Sequence, residues 1–336
     1  MIKEAIKLLL DGKNLSERDM VNSMRDIMEG QATDAQIASF LTALRIKGET
    51  VEEITGAAKV MREKVTGINA PLLTVDTCGT GGDMSHTFNI STTSALVVAA
   101  CGVPVAKHGN RSVSSSCGSA DVLEALGIKI NLEPKKVQMC IESTGFGFMF
   151  APLFHPAMKF AIGPRKEMGI RTVFNILGPL TNPAGAERQV MGVFSDALTE
   201  PLANVLGNLG AKHAFVVHGT DGLDEMTNTD KTQISELKDG KVTTYFISPE
   251  DLGFERAKKD DLVGGNADDN VKITNEILNG QKGPKRDIVL INAAAALVAG
   301  DKAKDFKDGV ESASQAIDSG AARKKLDEIR EVSNKL

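Results

Sequence analysis

The chain has 336 residues, of which 42% are hydrophobic and 25% charged, and a formal net charge of −5. This suits an ordinary globular protein with one large domain and a smaller one, and it argues against a general nucleic-acid or membrane surface, so any bound anion needs a local site. No leader or membrane span is legible, since Lys3, Glu4 and Lys7 interrupt the first apolar stretch, and Cys78, Cys101, Cys117 and Cys140 are too widely spaced for a metal or disulfide framework; a cytoplasmic protein is expected.

Residues 1–66 read as a small helical domain of four helices. Ser16-x-x-Asp19 is a weak capping box, Thr33-x-x-Gln36 and Thr50-x-x-Glu53 are good ones, and Gly30 and Gly48 supply stops. Apolar residues recur at helical spacing: Met20, Met24, Ile27, Met28, then Ile37, Phe40, Leu41, Leu44, then Ile54, Ala58, Met61, Val65. Such methionine-rich stripes are core or subunit interface more often than ligand site.

After Gly67 the pattern changes. Pro71 marks a hinge near residues 67–71, and Leu72 to Asp76 reads as a buried strand opening a large α/β domain over 72–336. There follow helix Ser91 to Cys101, strand Val103 to Ala106, helices Ala120 to Leu126 and Pro134 to Ser143, and strand Phe146 to Phe150. Next come strand Gln189 to Phe194, helix Glu200 to Leu209, strand His213 to His218, helix Ile288 to Ala299 and a charged amphipathic helix Ala321 to Lys335. This alternation predicts a mainly parallel sheet covered by helices, an α/β fold.

Four segments carry chemistry. Asp76-Thr77-Cys78-Gly79-Thr80-Gly81-Gly82-Asp83, with Asn89-Ile90-Ser91-Thr92 opening a helix, offers glycine backbone and helix N–H groups to a phosphate. Asp76 and Asp83 would repel that phosphate unless a metal ion or sugar hydroxyl lay between; a bare glycine turn is the plainer alternative. The Walker and dinucleotide glycine spacings are both absent. Lys107-His108-Gly109-Asn110-Arg111-Ser112-Val113-Ser114-Ser115-Ser116 gathers cations, an amide and hydroxyls at a strand end and suits a polyphosphate, though such loops are often merely solvated. In Gly163-Pro164-Arg165 through Arg171 to Pro183, Arg165 and Arg171 each suit a carboxylate clamp; ligand contact is assigned to Arg165 and structure to most of the others. In His218-Gly219-Thr220-Asp221-Gly222-Leu223-Asp224-Glu225, the adjacent acids suit Mg2+ beside a phosphate, or else are surface charges of a turn.

In this order and spacing, G-T-G-G-D, F-N-I-S-T, K-H-G-N-R-S-V-S-S, C-G-S-A-D-V-L-E-A-L-G, R-T-x-F-N-x-L-G-P-L-x-N-P and H-G-x-D-G-L-D-E resemble the anthranilate phosphoribosyltransferase family over nearly the whole chain. Met149 and Met168 stand where leucine is more usual and Val298 where tyrosine is frequent, swaps that touch no ligand position. The resemblance implies a nucleoside-phosphorylase-like fold. In it a small N-terminal helical domain, joined by part of 163–185, faces a large α/β domain, with the active site at the hinge. It also implies homodimers through the helical domain and transfer of phosphoribose from 5-phosphoribosyl 1-diphosphate (PRPP) to anthranilate.

By the same resemblance, PRPP would be held by Gly79, Gly82, Asp83, Thr87, Asn89, Ile90, Ser91, Thr92, Lys107, His108, Gly109, Asn110, Arg111, Ser112, Val113, Ser114, Ser115 and Ser119. Anthranilate would meet Gly79, Asn110 and Arg165, and Mg2+, two per monomer, would be carried by Ser91, Asp224 and Glu225. No residue is assigned as acid or base, with His108 close by. The alternatives are a pyrimidine nucleoside phosphorylase and a non-catalytic nucleic-acid-binding relative; the intact acid pair and the acidic chain weigh against the latter.

Overall fold

The computed structural model describes residues 1–70, 73–112 and 116–336. Helices α1 (Ile2–Leu10), α2 (Glu17–Met28), α3 (Asp34–Lys47) and α4 (Val51–Lys64) form the N-terminal bundle. Both good capping boxes close in both directions, at Thr33 with Gln36 and at Thr50 with Glu53; losing one such cap typically costs about 1 kcal/mol. Glu53 does more than cap. Fully buried, it also accepts from Leu15 N–H at 2.8 Å and from the Lys47 ammonium at 2.7 Å, so one carboxylate ties α3, α4 and the loop before α2 together.

The methionine stripe is core: Met20, Met24, Ile27, Phe40 and Leu44 are fully buried. The same core takes in Ala161 from helix Lys159–Met168 and Phe174 and Leu177 from the short helix Phe174–Leu177. It continues to Met191, Val193 and Val216 on the sheet, so the bundle sits directly on one sheet face.

Seven strands form one sheet in the order β3-β2-β1-β4-β5-β6-β7. They are β1 (Val75–Gly79), β2 (Val105–Gly109), β3 (Phe146–Phe150), β4 (Arg188–Gly192), β5 (His213–Gly219), β6 (Thr232–Lys238) and β7 (Lys241–Ile247). The first five pair parallel and the last two add antiparallel. Helix α5 (Ile90–Ala100) and helix Pro284–Ala299 cover the other face; both are buried nearly all round, which their alanine- and valine-rich sequences permit. Strand order reverses between β1 and β4, and ligands of open α/β sheets bind at the carboxyl ends of strands beside such a reversal. Among the described residues no helix is long and apolar enough to cross a membrane.

Three expectations need correction. The first strand runs Val75–Gly79, later than the expected Leu72 to Asp76, and carries Thr77 and Cys78 into the sheet; Pro71 and Leu72 lie outside the described residues. Strand β2 runs to Gly109 because it pairs with β3 residue by residue as far as Gly109↔Phe150, so Lys107 and His108 are strand residues, not loop. The β6–β7 hairpin went unread because β7 buries none of its residues and so shows no apolar-in, polar-out alternation, although Asp239-Gly240, with φ of 50° and 74°, is the turn that such a hairpin favours.

Candidate active site

The site grows from the ends of β1 and β4. A Cβ on Gly79 would lie 2.5 Å from Asp224 Oδ2, and one on Gly192 would lie 1.6 Å from the Asp224 carbonyl oxygen, so the acid loop can close on the sheet only over two glycines. Past Gly79 the backbone turns through positive φ at Gly81 and Gly82 (67° and 77°), and Gly81 N–H donates to Asp224 Oδ2 at 2.8 Å. The Gly82 carbonyl accepts from Arg171, whose guanidinium lies 4.4 Å from the Phe194 ring centre. Asp83 accepts from Ser85 N–H at 3.3 Å, and Thr87 forms a bridge with Val263.

At the mouth of α5, Asn89 donates through Nδ2 to the Cys117 carbonyl at 3.1 Å, while its buried Oδ1 has no partner among the described residues. Ile90 and Thr92 are buried, 1% and 2% exposed, so what this turn presents outward is backbone. Ser91 N–H donates to Glu225 Oε1 at 3.1 Å. The acid pair thus holds an N–H of the glycine loop and one of the helix terminus, two groups suited to phosphate oxygens.

Burial lifts the Asp224 carboxyl well above the usual carboxylate range, and the neighbouring Asp83 and Glu225 charges add to it. Burial pushes Glu225 up to about 7, against the pull of the Lys107 ammonium. Clustered acids of this kind are suited to a hard divalent cation, which would reverse that logic. Among the described residues, no group of three or more His, Cys, Asp or Glu is arranged to hold a metal ion unaided. The two adjacent carboxylates are the donor set that suits Mg2+, which takes one or two carboxylates and completes its shell with water and substrate phosphate.

Lys107 is 1% exposed, its ammonium donating to the Thr77 carbonyl beneath the site, with burial drawing its pKa down and Asp76 opposing. Asp76, also fully buried, accepts from His108 N–H at 3.2 Å and from Asn182 Nδ2 at 2.7 Å. Asn182 donates as well to the Ala106 carbonyl at 2.9 Å, so this network pins the 163–185 connection to the sheet.

On the other side of Gly79 opens a cavity of about 470 Å3, between the sheet and the 151–181 segment, lined by Gly79, His108, Gly109, Asn110 and Arg165 among others. The Nε2 atoms of His108 and His155 lie 3.1 Å apart. Burial and the His155 neighbour lower His108 to about 3, and burial lowers His155 to about 4, so both rings are neutral and one donates to the other. Arg165 is half-buried, its guanidinium 5.0 Å from the Phe174 ring centre, with no hydrogen-bond acceptor or carboxylate paired to it among the described residues.

The rest of the loop is tied to its own neighbours. Arg111 is exposed and bridges Asp121 and Glu124, each at 2.9 Å; Ser112 N–H donates to Asp121 at 3.0 Å; Ser119 Oγ donates to the Asn110 carbonyl at 3.3 Å. Gly109 must lack a side chain, since a Cβ would meet Ser119 Oγ at 2.2 Å. Val113, Ser114 and Ser115 lie outside the described residues. Gly192 and His155 were missed. Gly192 carried a signal, a glycine inside an apolar strand; His155 carried none.

Comparison with known proteins bears directly on this arrangement. A model described as "Glycosyl transferase family, helical bundle domain" matches residues 3–65, and one described as "Glycosyl transferase family, a/b domain" matches residues 72–323. An anthranilate phosphoribosyltransferase of Acetivibrio thermocellus is 58% identical over 99% of this chain and 97% of its own. The chain belongs to the anthranilate phosphoribosyltransferase family. The anthranilate phosphoribosyltransferase of Thermus thermophilus superposes with a TM-score of 0.93 at 41% identity, covering 98% of this chain and 99% of its own. The anthranilate phosphoribosyltransferase of Saccharomyces cerevisiae, in complex with PRPP and Mg, does so at 0.91 and 28% identity over 100% and 98%.

Proposed function

We propose that the chain transfers phosphoribose from PRPP to the amine of anthranilate, giving N-(5-phosphoribosyl)anthranilate and pyrophosphate in tryptophan biosynthesis. The observation that carries this is the meeting at Gly79 of two unlike surfaces. One is an acid pair already holding phosphate-suited N–H groups, and the other is a cavity with an unpaired cation. The related yeast enzyme has been solved with PRPP and Mg and with 4-fluoroanthranilate, which supports both substrates.

Loss of pyrophosphate from C1′ develops oxocarbenium character, so the protein's main work is to orient the amine and stabilise departing charge. In this reading the Gly79–Asp83 loop with Thr87, Asn89 and the Ile90–Thr92 turn holds the diphosphate and ribose. Residues 107–115, with Ser119, take the remaining oxygens, and the buried Lys107 acts on them as a charge beneath the sheet surface. Asp224 and Glu225, with Ser91, would carry Mg2+, two ions per monomer, which when bound neutralises diphosphate charge. Arg165 grips the anthranilate carboxylate and Asn110 lies beside it. The amine attacks C1′ and then sheds a proton to water or a nearby acceptor; the neutral His108 ring lies on the same wall.

A cytoplasmic homodimer formed through the helical domain completes the reading, supported by the exposed Leu10 and Ile46 on that bundle (72% and 80%). The test is the loss of anthranilate fluorescence on adding PRPP and Mg2+. Loss only when both are present is the expected outcome; persistent fluorescence with phosphorolysis of a pyrimidine nucleoside would give the site to a phosphorylase.

A further inference from the structure

The turn that presents Asp224 and Glu225 is gripped at both ends by side chains to which no ligand contact is assigned, Asp221 within the acid segment and Asn292 outside it. Before the acids, Asp221 folds back on its own loop: its carboxylate accepts from Leu223 N–H at 3.2 Å, from the Thr227 hydroxyl at 2.8 Å and from the Thr229 hydroxyl. After them, Asn292 takes hold of the next residue. Met226 N–H donates to Asn292 Oδ1 at 3.0 Å, and Asn292 Nδ2 donates to the Met226 carbonyl at 2.8 Å. Both partners are buried, at 3% and 0% exposure, so one side-chain amide satisfies two backbone groups that water cannot reach. The second Nδ2 hydrogen goes to the Ile288 carbonyl at 2.9 Å, which fixes which end of the amide faces which group.

Asn292 stands on helix Pro284–Ala299, which packs along α5, where Ser94 Oγ donates to the Val289 carbonyl at 3.2 Å. The α5 helix carries Ser91 at its first turn. A single buried helix therefore sets the acid pair relative to the N–H groups that face it. The need is physical: adjacent like charges with Asp83 beside them push apart, and Asn292 holds the backbone that carries them without adding a further charge.

We propose that Asn292, with Asp221 at the other end of the turn, is a positioning residue for the divalent cation and diphosphate, acting through the backbone of residues 222–226. This rests on the reading of Asp224 and Glu225 as the acids that carry the metal. Asn292→Asp keeps shape and one acceptor but loses both donated bonds and sets a carboxylate against two carbonyls. Asp221→Asn, at the half-buried end, weakens the other grip.

The test is calorimetric titration of the whole protein with Mn2+ in the presence of pyrophosphate, alongside Michaelis constants for both substrates. Both variants should bind Mn2+ with pyrophosphate about ten- to a hundredfold more weakly, the range for residues that orient metal ligands. The Michaelis constant for PRPP should rise in step while that for anthranilate moves by less than about twofold. Unchanged Mn2+ affinity in folded Asn292→Asp overturns the proposal, as does a fall in melting temperature with both Michaelis constants rising together. If Asn292→Asp does not fold, Asp221→Asn decides by the same criteria. Failure of the unmodified protein to bind Mn2+ with pyrophosphate would overturn the acid-pair reading itself, and is thereby distinguished from failure of the grip alone.

Discussion

On one side of Gly79, Asp224 and Glu225 already hold the Gly81 and Ser91 N–H groups, while on the other Arg165 stands over Phe174 in a cavity, without an acceptor among the described residues. The first surface is charged, dense with hydrogen bonds and closed by glycine contacts. The second is a cavity of about 470 Å3 whose lining holds two cations, Arg165 and Lys159, among apolar and neutral groups. On the proposed reading a diphosphate would exchange bonds on entering the first, whereas an aromatic carboxylate entering the second would meet a cation that no carboxylate among the described residues already holds. The proposed donor side is thus organised by charge and backbone, and the proposed acceptor side by shape and by cations free to meet a carboxylate.

Removing charge from the donor side should have the largest effect. Asp224→Asn with Glu225→Gln keeps size but removes both carboxylates, and turnover should drop by at least about a hundredfold, the scale of losing electrostatic transition-state support. Steady-state rates against Mg2+ concentration check it; an unchanged Mg2+ dependence would move the metal elsewhere.

Gly192→Ala tests whether the donor side depends on backbone contact. Its Cβ would lie 1.6 Å from the Asp224 carbonyl oxygen, so the acid loop must move. Overpacking of this kind costs about 1 to 3 kcal/mol. The variant should unfold at lower denaturant and lose most PRPP affinity while still binding anthranilate.

Arg165→Ala probes the acceptor side. Losing a charged hydrogen bond typically costs about 1.5 to 3 kcal/mol, which should raise the Michaelis constant for anthranilate roughly ten- to a hundredfold with much less change for PRPP. Weakening of PRPP alone would assign Arg165 to the phosphate side and erase the contrast.

The smallest effect is pH dependence from the histidine pair. His108 and His155 sit at about 3 and 4 in the folded protein, below the ordinary 6.5, so between those values the unfolded chain binds more protons. Their contribution to stability is full above about pH 6.5 and is lost as pH falls towards 4 and 3. Melting curves should show that decline, shallower in His155→Gln; the Michaelis constant for anthranilate should stay flat from about pH 6 to 8, where both rings are neutral.

The contrast also explains what the amino-acid order disclosed. The glycine loop and the acid pair are contiguous, and each needs residue types that chemistry restricts, so their motifs were legible. Arg165 was legible as a cation in a glycine- and proline-rich connection. His155 was not, because it meets His108 only through the fold, 47 positions away in the chain. The depth of Lys107 was hidden too: a basic residue before Gly109 reads as loop until the β2–β3 ladder places it inside the sheet. For the fold, helix caps and apolar runs disclosed the bundle and the parallel strands. The β6–β7 hairpin did not stand out from loop, because β7 buries none of its residues and its exposed positions mix Lys241, Thr243 and Thr244 with Phe246.

The central claim is that the two sides act on one another's ligand at Gly79, and the stoichiometry of the wild-type reaction tests it most directly. With PRPP, Mg2+ and anthranilate together, pyrophosphate should appear in equal amount to the anthranilate consumed, and neither change should occur when any one of the three is withheld. Pyrophosphate released without anthranilate, or anthranilate left intact while PRPP is spent, would contradict it.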